Sequence, residues 1–205
     1  MNLRFLLEAI RCWRAGRMGD SAGYKAAAFG GRAYPAIEAA LRRLDEPFPA
    51  IDLDRLRGCP PGSFGQAYVA FMDANRLRPF LLSPEAATEL GRDHVLEVRY
   101  PLLHDAFHTL LGFDTSLPGE LGVWSFVAAQ RYSPQFDRAG RLGALLYPIV
   151  APGRRAALRA AAERGRRLAR RAPCLIAEKL ERSWAEPLPL LRARLGLVDS
   201  NGAGR

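Results

Sequence analysis

The residues best suited to chemistry lie in one stretch, HDAFHTLLGFDTSLPGE, residues 104–120. It holds two of the chain's three histidines, His104 and His108, with Asp105 beside the first and Glu120 at its end. On a helix, residues four apart are neighbours on one face, with Cβ atoms about 6 Å apart. Two imidazoles so placed can reach a single metal ion. Asp105 is rotated by about 100° around the axis from His104. It can curl in as a further ligand or hold a ligand imidazole in place through a hydrogen bond. Two neutral nitrogens and up to two carboxylates suit Zn²⁺, Fe²⁺ or Mn²⁺ and leave positions open for water or substrate.

That chemistry needs a helix, a turn and a second helix. Gly112 is a stop signal, and Ser116 and Pro118 are a start signal. An antiparallel return would bring Glu120, in the first turn of the second helix, close to His108, in the last turn of the first. A carboxylate there is also favoured by the helix dipole. Leu102, Leu103, Phe107, Leu110 and Leu111 surround the histidines, so the first helix reads as a core helix. Charged groups in such surroundings are costly unless paired or bound to metal.

The rest of the chain repeats the helical pattern. Apolar residues recur at a 3.6-residue period and no long period-2 alternation is present. Leu3, Leu6, Leu7, Ile10 and Trp13 share one face of an N-terminal segment carrying Arg4, Arg11 and Arg14, the pattern of a helix lying at a membrane interface. Pro35 starts a helix, Ser63 caps another with Phe64, Tyr68, Phe71 and Met72 as its stripe, and Ser83-Pro84 starts a third. Pro101 is read as the start of the histidine helix. Helices follow over 116–130, 136–150 and 154–171, and two short ones over 174–197. The expected architecture is all-α: one domain over 1–197 with seven to nine helices, an amphipathic basic helix within 1–20, and a disordered tail over 198–205.

The chain of 205 residues is 49% hydrophobic and carries a formal charge of +9. That composition fits a globular domain. Three scattered cysteines, Cys12, Cys59 and Cys174, give neither a disulfide framework nor a zinc-thiolate motif, and suit a reducing compartment. No segment approaches a membrane span, and the N-terminus lacks the pattern of a secretory signal. Residues 154–171 hold eight arginines against Glu163 alone, which suggests an anionic partner such as a lipid surface. No nucleic-acid recognition motif accompanies them, so no nucleic-acid partner is expected. PPGSFGQAY lacks the strand and the Lys-Ser/Thr of a phosphate loop. His94 is read as an exposed helix residue and Asp114 as a turn or cap residue.

The pattern His-Asp-x-x-His, eleven residues, then Glu resembles the signature of the ubiquinone (coenzyme Q) biosynthesis protein 4 family. RLRGCPPGSFGQAYVAFMDANRLRP is similar to that family's segment around Gly62, Ser63, Gly65, Tyr68 and Phe71. LGFDTSLPGELGVWSFVAAQ resembles its Gly-Glu helix, here Gly119 and Glu120, closing on Gln130. The C-terminal stretch, with Trp184, Pro187-Leu188 and Leu191 to Gly196, is also similar, and the likeness covers about 45–197. Two features depart from the pattern: Val127 follows Phe126 where the family commonly has a second glutamate, and a proline stands at 101.

The resemblance implies an all-α protein of ubiquinone biosynthesis with His104, Asp105, His108 and Glu120 as ligands of a divalent metal. Zinc is the first expectation, with iron or manganese as alternatives. It implies a prenylated hydroxybenzoate-type substrate and replacement of the ring C1 carboxyl by a hydroxyl. It further implies a peripheral place on an anionic membrane, expected here to be the cytoplasmic face of the cell membrane. Partners would be other ubiquinone biosynthetic enzymes and a second copy in a homodimer. The rival reading is a non-catalytic scaffold that holds a prenyl lipid.

Overall fold

Serine and proline set where many of the helices begin. In the computed structural model, which describes residues 2–91 and 93–198 apart from the side chain of Pro148, four serines act as N-caps. The Oγ atoms of Ser63, Ser83, Ser116 and Ser133 accept from the backbone N–H groups of Gln66, Ala86, Gly119 and Phe136. Each satisfies a donor that the first helical turn leaves unpaired. Prolines 35, 84, 118 and 134 sit in the first turns of their helices, where a missing N–H costs nothing.

Eleven α-helices result among the described residues: α1 Leu3–Arg14, α2 Met18–Phe29, α3 Pro35–Leu41, α4 Leu53–Arg57, α5 Phe64–Ala74, α6 Pro84–Leu90, α7 Val95–Leu111, α8 Leu117–Ala129, α9 Pro134–Val150, α10 Arg155–Ala169 and α11 Leu188–Arg194. Short 3₁₀ turns occupy Pro152–Arg154, Leu175–Ala177 and Leu180–Arg182. The described residues include no β-strand. The all-α expectation holds with more helices than the seven to nine foreseen. One unforeseen helix is α2, whose glycines and alanines give a weak apolar period. Residues 199–205, most of the expected tail, lie outside the described residues.

α7 runs through the middle of the molecule and is buried nearly all round. It starts at Val95, not at Pro101 as the sequence suggests, and Pro101 lies inside it. Pro101 has no N–H to give the Glu97 carbonyl; the packing of Val98, Tyr100, Leu102 and Leu103 on both sides holds the helix together across that gap. The principal core joins α7 to α5, α8 and the C-terminal segment through Phe64, Tyr68, Met72, Phe107, Leu110, Phe126, Leu175, Ile176 and Leu191. A second cluster seats α1 and α2 on the other side of α7 through Phe5, Tyr24, Leu90, Val98 and Leu102. α10 lies along α8, with Gly165 against the Gly122 carbonyl so closely that no Cβ fits.

Arg99 locks the middle of α7. Its guanidinium is wholly buried and donates to the carbonyls of Ile176 (2.8 Å), Pro47 (3.0 Å) and Glu178 (2.8 Å) and to the Glu181 carboxylate (2.9 Å). A buried cation is tolerated only with such complete pairing. One side chain thereby ties the metal-motif helix to the 45–49 loop and to the 174–182 segment.

α1 carries the apolar stripe seen in the sequence mostly on its solvent side. Its buried face is Phe5, Ala9 and Cys12, whereas Leu3, Leu7, Ile10 and Trp13 point to solvent. His94 is not exposed: it is half-buried at the N-terminus of α7, edge-on to Phe5 at 5.1 Å. Asp114 is the expected turn residue, accepting from Ser116 N (3.1 Å) and Oγ (2.5 Å).

Candidate metal centre

The histidine helix ends as its sequence demands. Gly112 takes the left-handed conformation, φ 67° and ψ 41°, and its N–H returns to the His108 carbonyl. Glycine adopts that geometry without a Cβ clash. Three residues then reverse the chain, Ser116 caps α8, and Glu120 stands in its first turn. The reversal sets Glu120 opposite both histidines.

The three side chains converge. His104 Nε2 lies 3.6 Å from Glu120 Oε2, and His108 Nε2 lies 3.3 Å from Glu120 Oε1. Ligand atoms of His104, His108 and Glu120 all lie within 4.8 Å of one another, so one ion could touch all three at ordinary bond lengths. His108 is 1% exposed, His104 and Glu120 about a quarter to a third. The centre is thus closed on one side and open to solvent on the other.

The tautomers can be read from the partners. His108 Nδ1 is 3.2 Å from the Phe113 carbonyl. A carbonyl only accepts, so Nδ1 carries the hydrogen and Nε2 presents its lone pair. That Nε2 is buried, not aligned to bond Glu120, and has no hydrogen-bond partner. An orphaned buried lone pair facing an imidazole and a carboxylate is what a cation would satisfy. His104 is oriented in the same way: Asp105 Oδ1 lies 3.4 Å from its Nδ1, leaving Nε2 toward the centre. Asp105 therefore stands behind the imidazole and outside the converging set of three.

Charge tells the same story. Burial works against the imidazolium of His104, but the carboxylates of Asp105 and Glu120 outweigh it and hold the group up to about 9. Burial also works against ionisation of Glu120, yet the facing His104 imidazolium brings its carboxyl down to about 2. The pocket draws positive charge to its middle, and a proton on His104 meets that demand when no metal does.

Aromatic rings fix the ligands. Phe71 of α5 stacks on His108 at 5.6 Å, and Tyr100, one turn before His104, meets that ring edge-on at 5.6 Å. Tyr100 also touches Trp124, one turn after Glu120, at 5.9 Å. Its hydroxyl is buried without a partner. At the C-terminus of α7, Arg192 donates to the carbonyls of Leu110 (2.9 Å) and Thr109 (2.8 Å), and Arg164 to that of Gly112. Cations there offset the helix dipole beside His108. These contacts span long sequence separations and leave no local signal; Tyr100, four residues before His104, was within reach of a spacing argument.

Residues 48–201 match the family described as Coenzyme Q (ubiquinone) biosynthesis protein Coq4. The mitochondrial ubiquinone biosynthesis protein COQ4 homolog of Bos taurus is 36% identical over 155 residues, covering 73% of this chain and 56% of that protein. The human homolog is 34% identical over 153 residues, covering 72% and 55%. The chain thus spans about half the length of the curated relatives it matches. A crystal structure of a proposed ubiquinone biosynthesis protein from Nostoc punctiforme PCC 73102 superposes with a TM-score of 0.65 at 25% identity, covering 96% of this chain and 95% of that one. With most of its length matched by the family and by relatives at 34–36% identity, this chain belongs to the Coq4 family of ubiquinone biosynthesis proteins.

Proposed function

We propose that the protein is a metal-dependent participant in ubiquinone biosynthesis that acts on a prenylated hydroxybenzoate-type intermediate at C1. The single observation that carries the metal is the buried, partnerless Nε2 of His108 facing His104 and Glu120. In this reading His104, His108 and Glu120 are the ligands and Asp105 orients His104. Zinc is the first candidate for this donor set; two histidines and one carboxylate also serve iron and manganese. When bound, the ion supplies a Lewis acid that polarises a hydroxy-carboxylate and stabilises negative charge as CO₂ leaves.

The chain's own residues do the rest. Asp105 and the Phe113 carbonyl hold the two imidazoles in the tautomers that present Nε2. Phe71 walls the buried side against water, and the open side beside His104 and Glu120 admits the ring. Replacing the carboxyl by a hydroxyl is a two-electron oxidation; dioxygen would supply the oxygen atom, activated by a redox-active metal here or by a flavin on another enzyme, with two electrons from a reductant taking its second atom to water. The protein works on the inner face of the cell membrane, where a prenylated substrate resides, together with other enzymes of the pathway and as a homodimer. Support for the membrane is the solvent-facing apolar residues of α1 and α9; among the described residues no helix is long and apolar enough to cross one.

One feature favours a second reading. An apolar groove of ≈ 380 Å³ between α1 and α2, lined by Leu6, Ile10, Trp13, Met18 and Phe29, could seat a prenyl tail and suits a non-catalytic lipid carrier. Elemental analysis of the wild type and His108→Ala, purified without added metal, tests the first reading. About one ion per chain, lost in the variant, supports it and names the metal. No metal in either protein refutes it and leaves the carrier.

A further inference from the structure

The second half of α9 presents an apolar stripe to solvent. Leu142, Leu145, Leu146, Ile149 and Val150 are 55, 64, 42, 64 and 73% exposed. They stand at i, i+3, i+4, i+7 and i+8, so they form one continuous face. The opposite side of α9 is packed: Gly140 rests on Ala128, and Phe136 lies 5.9 Å from Trp124 of α8. Arginines bracket the stripe. Arg138 and Arg141 precede it, Arg154 and Arg159 follow it, all four exposed, and no acidic residue occurs between positions 138 and 162. α10 adds little apolar surface of its own, because Leu158, Ala162 and Leu168 face inward.

We infer that this face of α9, with the arginines at its two ends, is where the protein docks on an anionic lipid bilayer. The inference rests on the reading above that the protein works at a membrane, and it assigns the surface and the lipid class. Three observations select a bilayer. The stripe is wholly aliphatic, whereas protein interfaces are anchored by aromatic residues. A symmetric contact with a second copy would set four arginines against the same four. A bilayer with acidic headgroups takes the aliphatic side chains into its boundary and the arginines onto its phosphates. The other outward stripe, on α1, lacks this complementarity, because Arg4 pairs with Glu89 and Arg11 with Glu8, each at 2.6 Å. Docking through α9 orients the molecule: α9 lies on α8, which carries Glu120, so the candidate metal centre stands one helix behind the lipid surface.

The test is sedimentation of the full chain with vesicles of phosphatidylcholine alone or mixed with phosphatidylglycerol. Wild type should bind the mixed vesicles at least tenfold more strongly, and added salt should weaken that binding. Leu145→Glu/Ile149→Glu should lose it by at least tenfold. Arg154→Gln/Arg159→Gln should weaken it roughly thirtyfold if each arginine contributes its usual share near a charged surface. Circular dichroism and metal content should not change in either variant, since the residues are exposed and away from the ligands. Leu7→Glu/Ile10→Glu on α1 should bind as wild type. Binding lost only in the α1 variant, or kept in the α9 variant, overturns this surface while leaving the membrane reading intact. No vesicle binding by wild type overturns both. A dimer that falls apart in the α9 variant without vesicles overturns the bilayer in favour of a second copy.

Discussion

If the proton held on His104 occupies the place of a metal ion, metal affinity must fall as that proton binds. In the metal-free protein the His104 imidazolium is held up to about 9, with burial opposing and Asp105 and Glu120 prevailing. Glu120 is held down to about 2 and is already ionised at neutral pH. At pH 7 zinc must therefore displace one proton that lies about two units below its pKa. That costs about 2.7 kcal/mol, roughly a hundredfold in affinity, relative to alkaline solution. From about pH 6 to pH 9 the His104 proton alone should tighten apparent zinc binding by about tenfold per unit, with a plateau above. Competition against a chelator of known pH dependence gives the affinity, and calorimetry in two buffers of different ionisation enthalpy counts the released proton. Asp105→Asn removes one of the two groups that hold the proton, so its curve should be flatter near neutrality. An affinity independent of pH over that range, or binding without proton release, would refute the assignment of His104 Nε2 as a ligand.

Two further expectations concern the scaffold. Burial pushes the Glu97 carboxyl up from 4.5 to about 7, so between those values the folded protein holds a proton the unfolded chain has lost. Stability should then fall as pH rises through that window, by about 3 kcal/mol in all; Glu97→Gln should raise the urea midpoint at pH 8 but not at pH 4, and equal shifts at both would contradict the burial argument. Gly165→Ala would drive a Cβ into the Gly122 carbonyl; thermal unfolding should report a loss of about 1–3 kcal/mol from overpacking and the zinc titration a weaker site, because α8 carries Glu120, while Gly153→Ala, with open space around it, should match wild type.

How much of this was legible depended on the range of the interaction. The i, i+4 histidines, the glycine stop, the serine cap and the first-turn glutamate are local, and local rules placed all four correctly. The passage of α7 through Pro101 was not legible, because the packing that offsets a missing N–H comes from α2, α5 and the C-terminal segment. The stripe on α1 was visible as a period, but period alone does not say which face is buried. Phe5, Ala9 and Cys12 take the core because they fit against Tyr24 and Leu90. Asp105 could be placed beside His104 by its position, yet whether it would curl in or stand behind the imidazole depends on side-chain conformation, which spacing does not give. Arg99 and Arg192 were invisible as anchors, since their partners lie about 80 residues away.

The two long-range arginine contacts bear on the order of events during synthesis. A growing chain has already made His104, His108 and Glu120 when residues 174–194 are still to come. Until that segment arrives, Arg99 has no carbonyls at 176 and 178 to fill, and the last carbonyls of α7 have no Arg192. The candidate ligands then sit on a helix whose central arginine has only the Pro47 carbonyl to bond and whose Thr109 and Leu110 carbonyls still lack Arg192. On the proposed metal-dependent reading, high-affinity capture of an ion would wait for the C-terminal segment to dock, and loading would be a late step of maturation.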